Sequence, residues 1–411
     1  MVKFDGYEFI DGGVCAAKGF KASGVIAGIK AGNTTKRDLA LISCDVRCKA
    51  AALFTTNKVK GAPIIVSREH LKDGYAQAVV VNSGNANTCN ANGIEIAEGM
   101  CALAAEGLNI ANEDILVGST GVIGQKLDLA PIKNAFPALL NGLSEKNSTL
   151  ACEAIMTTDT RKKEFAVEFT IDGKKCRLGG ISKGSGMINP NMATMLAFIT
   201  TDVAINGELL KKALVRVNSI TYNMVSVDGD TSTNDSLFLM SSGLAGNAEI
   251  ICEDKNYEIF ENALYAVMMN LARETARDGE GATKLIECVV SGADTEETAK
   301  KVAKSVISSS LVKAMLFAAD ANCGRILCAI GYTDAEFDIE RVAVDLASDK
   351  GVISVCRNGT VVDFSEEKAK EILSEEEIKI LVNLNSGGRS AIAWGCDLTF
   401  EYVKINAEYR T

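Results

Sequence analysis

The chain has 411 residues, 47% of them apolar, and a formal net charge of −10. That balance excludes a disordered chain and leaves length for two or three domain-sized cores. Acidic residues are spread along the chain, which argues against a nucleic-acid partner. No apolar run reaches bilayer length, and the start MVKFDGYEFIDGG lacks a secretory apolar segment, so no membrane partner and a cytoplasmic location are expected.

In chain order, AQAVVVN near Val80 and DILVGST near Leu116 read as strands, with amphipathic helical spacing over Ile94–Leu108 between them. FAVEFTI near Phe169 followed by Arg177–Gly180 predicts an antiparallel neighbour pair. TMLAFIT from Thr194, LFLMSS near Phe238 and LIECVV near Glu287 read as further strands, separated by helical patterns over Gly207–Ile220 and Tyr257–Ala276. Beyond about Gly292 a charged helix over Thr295–Ser308 opens what reads as a smaller α/β lobe, about 293–411. Its strand-like runs are RILCAIG near Leu327, IKILVNLN near Leu381 and LTFEYVKI near the end. Strands and helices alternate without a strict βαβ rhythm, which predicts an α/β fold, a layered sandwich with mixed sheets.

Chemistry is limited by what is scarce. The single histidine, His70 in SREHLKDG, falls at the end of a predicted helix and is expected at the surface, so the chemistry does not run on histidine. The thirteen cysteines form no C-x-x-C pair, and CDVRC and CGRILC lack zinc-ribbon spacing. Reduced, mostly buried thiols and no metal site are expected.

Several motifs fail on inspection. GISKG at Gly180–Gly184 matches a nucleophile elbow with Ser182, but no histidine follows it. GSTGVIG at Gly118–Gly124 has the wrong glycine spacing for a dinucleotide loop, and no Walker sequence exists. DGDTSTND at Asp228–Asp235 has Thr233 and Leu239 where a calcium loop needs glycine and glutamate. It reads as a turn of Asx and Thr side chains bonding their own backbone.

Without histidine, a hydroxyl nucleophile needs a lysine or the chain's own α-amine as base. An amino-terminal Thr carries both, and an α-amine titrates at roughly 7.7–8.0. An internal Thr acquires that amine only when the bond before it is cut. In GSGMINPNMATMLAFITTD, glycines and asparagines lead to small Ala193 and then Thr194 ahead of an apolar run. The pattern suits a strained scissile bond, and it also suits an ordinary loop entering a strand.

The chain resembles the ornithine acetyltransferase (glutamate N-acetyltransferase) family of arginine biosynthesis over nearly its whole length. The matching pieces are GFKASGVIAGIK, DLALI, VNSGNAN, GSTGVIG, MTTDT, KGSGMINPNMATMLAFITTD, SVDGDTSTNDS, RDGEGATK and INAEYRT. The resemblance implies self-cleavage between Ala193 and Thr194, giving an alpha chain 1–193 and a beta chain 194–411. Thr194 would then take the acetyl group of N2-acetyl-L-ornithine, with its own amine as base, and pass it to L-glutamate in a ping-pong reaction. It further implies an oxyanion hole at Thr120 and Gly121. Substrate contacts fall on Thr157, Lys183, Thr194, Glu280, Asn406 and Thr411, with Thr158 the one-residue alternative to Thr157. VNSGNANTCNANG is the least regular matched segment and is given no catalytic role.

No cofactor is implied; acetyl-coenzyme A, which some members accept as acetyl donor to glutamate, is an open co-substrate. A dimer of cleaved protomers is the implied assembly. Two competitors stand beside this reading: a self-cleaved amidase or aminopeptidase of the same fold, and an uncut, non-enzymatic binding protein.

Overall fold

The computed structural model describes residues 1–30, 32–189 and 195–408. The chain forms two compact units. The first holds Met1–Gly184, Pro190–Tyr222 and Thr231–Leu271; the second holds Ser185–Asn189, Asn223–Asp230 and Ala272–Thr411.

The first unit is built on a mixed sheet. Its strands begin with β1 (Glu8–Ile10), β2 (Phe20–Val25), β3 (Leu39–Phe54), β4 (Tyr75–Asn82) and β5 (Ile115–Ser119). They continue with β6 (Lys163–Ile171), β7 (Lys174–Lys183) and β8 (Leu196–Thr201). Short β9 (Val225–Ser226) belongs to the second unit, and β10 (Ser236–Ser241) completes the first sheet. The order is β1-β6-β7-β8-β10-β3-β4-β5, with β2 also paired to β3. β8 runs parallel to β10, and β4 parallel to β5.

Alternation along β3 and β4 explains the layers. Ala40, Ile42, Val79 and Val81 join one buried cluster with Ala151, Cys152, Ala154 and Ile155 of helix Ser148–Ile155. Leu39, Leu41, Ala78 and Val80 point the other way, into a cluster with helices Gly93–Leu108 and Leu129–Asn141. A sheet buried on both faces needs apolar residues at successive positions, hence runs such as AVVV. β6 and β7 form the predicted antiparallel pair. Asp172 (φ 48°) and Gly173 (φ 72°) make the two-residue turn that joins them, with both residues in the left-handed region that such hairpins favour.

The second unit carries its own mixed sheet. It contains β9, β11 (Leu285–Ala293), β12 (Ala343–Ser348), β13 (Gly351–Arg357), β14 (Thr360–Val361), β15 (Glu377–Asn383) and β16 (Arg389–Cys396). Helix Glu296–Ser308 buries Ala299, Val302, Ala303, Val306 and Ile307, on the one face that packs on β11 and β16. Both units are α/β with mixed sheets, as the residue patterns predict.

Three sequence expectations are corrected. RILCAIG lies in a helix, Cys323–Gly331, in which Cys323, Ile326, Ala329 and Ile330 are buried at helical spacing and the Asn322 side chain caps Arg325 N–H. LTFEYVKI enters a helix over Phe400–Glu408, where Phe400 and Val403 are largely exposed instead of alternating into a sheet. His70 is buried at 7% exposure. Its Nδ1 lies 2.7 Å from the Ile115 carbonyl, which only accepts, so Nδ1 carries the proton. Ser67 Oγ likewise donates to Val117 O at 2.8 Å and accepts from Val117 N at 2.8 Å. Helix Ala62–His70 thus satisfies the outer backbone groups of edge strand β5, and the lone histidine is structural.

All thirteen cysteines are free thiols, with Cys89, Cys252 and Cys328 exposed and the others buried. Among the described residues no helix is long and apolar enough to cross a membrane, and no cluster of side chains suits a metal ion.

Candidate active site

In the first unit, Thr120 follows the end of β5. Its N–H donates to Asn82 O at 3.0 Å, so the hydroxyl is the donor it has left. Gly121 adopts φ +126°, and a Cβ there would lie 2.3 Å from the Gly84 carbonyl carbon. Only glycine fits that approach. Among the described residues no acceptor takes the Gly121 N–H.

The loop is held from below by the asparagine-rich VNSGNAN segment. Ser119 Oγ donates to Asn82 Oδ1 at 2.6 Å, and Asn85 Nδ2 to Gln125 O at 3.0 Å. Asn234, inside the rejected calcium-loop motif, donates to Ala86 O at 2.5 Å and to Ser119 O at 3.0 Å. The two matched loops are thereby fixed to each other, which is what a preorganised donor site requires.

Lys183 ends β7 at 8% exposure, and its Nζ donates to Thr120 Oγ1 at 3.4 Å. Ser182, the candidate of the rejected elbow, is 1% exposed within the same strand. Thr157 sits after helix Ser148–Ile155, and its N–H donates to Asp159 Oδ2 at 3.1 Å. Thr158, its alternative, is half-buried beside it.

Sequence reasoning missed two acidic side chains. Asp159 has a fully buried carboxylate that accepts from Lys163 Nζ and from Gly184 N–H, both at 2.7 Å on Oδ1. Burial opposes its charge, but Lys163, Lys183 and those hydrogen bonds outweigh burial and hold it below the ordinary carboxylate range. Asp235, at 2% exposure, is pushed well above that range by burial, with Ser232, Lys183 and Thr55 offsetting only part of the effect. Its Oδ2 has no hydrogen-bond partner among the described residues. The only sequence signal for either was an aspartate inside a matched motif, MTTDT or TSTND.

The second unit brings together Glu280 and Asn406. Asn406 Nδ2 donates to Glu280 Oε2 at 2.8 Å and to Tyr402 O at 3.0 Å. Glu280 is 8% exposed, its N–H donates to Ser185 O at 3.0 Å, and its carboxylate lies where a Cβ on Gly186 would stand, 2.3 Å away. Asp228 accepts from Met187 and Ile188 N–H at 2.6 and 2.9 Å, so this aspartate of the DGDTSTND turn is occupied by backbone. Ala193, Thr194 and Thr411 lie outside the described residues.

The ArgJ family model matches residues 21–411. The arginine biosynthesis bifunctional protein ArgJ of Caldanaerobacter subterraneus is 48% identical over 405 residues, covering 98% of this chain and 100% of that protein. The glutamate N-acetyltransferase of Methanocaldococcus jannaschii is 47% identical over 410 residues, covering 98% of this chain and 99% of that protein. A crystal structure of arginine biosynthesis bifunctional protein argJ from Bacillus halodurans matches at 45% identity and TM-score 0.48, over 51% of this chain and 96% of that one. The chain belongs to the ArgJ family.

Proposed function

We propose that the chain transfers an acetyl group from N2-acetyl-L-ornithine to L-glutamate through an acetyl ester on Thr194, after cutting itself between Ala193 and Thr194. Its family makes the chain an enzyme, a glutamate N-acetyltransferase of arginine biosynthesis. The route and the residues that carry it are the proposed part. The observation that carries the reading is the match across almost the whole chain to a glutamate N-acetyltransferase and to arginine biosynthesis bifunctional proteins.

In this mechanism the freed α-amine of Thr194 takes the hydroxyl proton as the oxygen attacks the acetyl carbon. The tetrahedral oxyanion accepts hydrogen bonds from the Thr120 hydroxyl and the Gly121 N–H. The Gly121 N–H, which no acceptor takes among the described residues, and the Lys183–Thr120 contact support these roles. Collapse expels ornithine, whose amine nitrogen receives the proton. Glutamate's neutral amine then attacks the acetyl-Thr194 ester and leaves as N-acetylglutamate, returning the hydroxyl proton.

Lys183 suits a substrate carboxylate and Glu280 a substrate ammonium, with Thr157, Asn406 and Thr411 as further contacts. No cofactor enters this route, and the bifunctional names of the relatives support acetyl-coenzyme A as a second acetyl donor. The assembly in this reading is a dimer of cleaved protomers acting on small molecules in the cytoplasm.

Denaturing mass analysis of wild type and Thr194→Ala, followed by transfer assays, tests the proposal. Wild type is expected as two chains, 1–193 and 194–411, that move acetyl from acetylornithine to glutamate, and the variant as one inactive chain. Steady acetylornithine hydrolysis indifferent to glutamate would replace the transferase with a hydrolase.

A further inference from the structure

Asp159 has no place in the mechanism above, yet it touches the two segments that carry Thr157 and Lys183, two of the proposed substrate contacts. Oδ2 accepts from Thr157 N–H at 3.1 Å, and Oδ1 from Gly184 N–H at 2.7 Å, next to Lys183. Thr157 lies before β6 and Gly184 after β7, so one carboxylate joins the two open ends of the hairpin. Lys163, at the start of β6, adds its ammonium at 2.7 Å on Oδ1. Both side chains of this ion pair have no solvent exposure.

A surface hydrogen bond of this kind would be incidental. A buried pair is not, because taking two charges out of water is costly and seldom improves on apolar packing. What the pair supplies here is geometry. An ionised carboxylate accepts several donors at once and holds their backbones in fixed positions, as a neutral side chain of that size does not. Lys183 Nζ reaches Thr120 from the residue just before the Gly184 anchor.

We infer that Asp159 is a positioning residue: held by Lys163, it sets Thr157 and Lys183 in the register that both substrates require. The inference rests on the proposed roles of Thr157 and Lys183. It predicts a binding defect shared by donor and acceptor, because Asp159 touches the frame and not the reacting atoms.

Asp159→Asn alone strands a buried ammonium, so the test pairs it with Lys163→Met, which removes both charges at once. Melting temperature, kcat and KM for acetylornithine and glutamate, and calorimetric Kd for ornithine are measured on wild type and on the double variant. Asp159→Glu, which keeps the charge but lengthens its arm, is measured alongside. The double variant is expected to melt near wild type, with both KM values and the Kd raised about tenfold or more and kcat within a few-fold. Asp159→Glu is expected in between.

A folded double variant with wild-type KM and Kd overturns the inference. So does failure of both variants to fold, which would assign the carboxylate to stability alone. Failure of the functional reading looks different: wild type itself would then transfer no acetyl from acetylornithine to glutamate.

Discussion

Asp159 and Asp235 are buried in the same unit, and both lie close enough to Lys183 to feel its charge, yet their surroundings drive them in opposite directions. Asp159 has a lysine and two backbone N–H groups on its oxygens and stays ionised. Asp235 has an Oδ2 with no partner among the described residues and is kept toward its neutral form. Burial alone therefore does not decide the charge of a carboxyl; the opposite charges and the donors set against it decide. A negative charge is held next to the proposed substrate lysine, and burial opposes the charge of the acid just before β10.

The largest effect that can break this contrast is on stability. Asp159→Asn removes the counter-charge of buried Lys163, and is expected to cost about 3–5 kcal/mol in chemical denaturation. Asp235→Asn puts a neutral side chain of like shape where burial already opposes the carboxylate's charge, and is expected to cost no stability at neutral pH. Equal losses in the two variants would abolish the distinction.

Next is the glycine of the proposed oxyanion loop. Gly121→Ala forces a Cβ against the Gly84 carbonyl at a φ that L residues rarely adopt. It is expected to lower kcat by about 100-fold or more, with one donor displaced, and stability by about 1–3 kcal/mol. A variant of wild-type kcat would remove Gly121 from the site.

The two carboxyls also separate by pH. Asp159 has a folded pKa below its ordinary 3.8, so its contribution is full above that value and fades as pH falls through the lower folded pKa. Asp235 has a folded pKa above 3.8, so its contribution is full below that value and is lost as pH rises through the higher folded pKa. Stability measured from mildly acidic to neutral pH should therefore decline less in Asp235→Asn than in wild type. A parallel pair of curves would mean that Asp235 ionises normally.

The smallest effect belongs to the second unit. Asn406→Ala removes one hydrogen bond to Glu280 from an exposed helix and is expected to cost about 0.5–1.5 kcal/mol, read as a few-fold rise in one substrate's KM with little change in melting. An unchanged KM for both substrates would take Asn406 out of the binding set.

Much of the framework was legible in the residues. Continuous apolar runs announced β4, β5, β8 and β10 because strands covered on both faces have no polar alternation to hide them. Short runs misled where the signal was weakest. RILCAIG is apolar enough for a strand, and only the capping Asn322 and the spacing of Cys323, Ile326 and Ile330 mark it as a helix. His70 was misplaced because its partner, the Ile115 carbonyl, lies 45 residues away on a strand edge.

The candidate site divides the same way. Gly121 and Lys183 are candidates through their motifs, to which the fold adds the φ of +126° at Gly121 and the Lys183–Thr120 hydrogen bond. Asp159 and Asp235 were not reachable, since their character depends on which donors the fold brings to them. Gly184, Lys163 and Thr157 meet at Asp159 only once the hairpin has closed.

The most direct test of the central claim is to trap the acyl-enzyme. Cleaved wild type is incubated with N2-acetyl-L-ornithine alone, quenched in acid, and the chain beginning at Thr194 is analysed by peptide mass mapping. One acetyl group, ester-linked on Thr194, lost on adding L-glutamate with formation of N-acetylglutamate, is the predicted result. An unmodified Thr194 during active turnover, or an acetyl group on Lys183 that passes to glutamate, would contradict it.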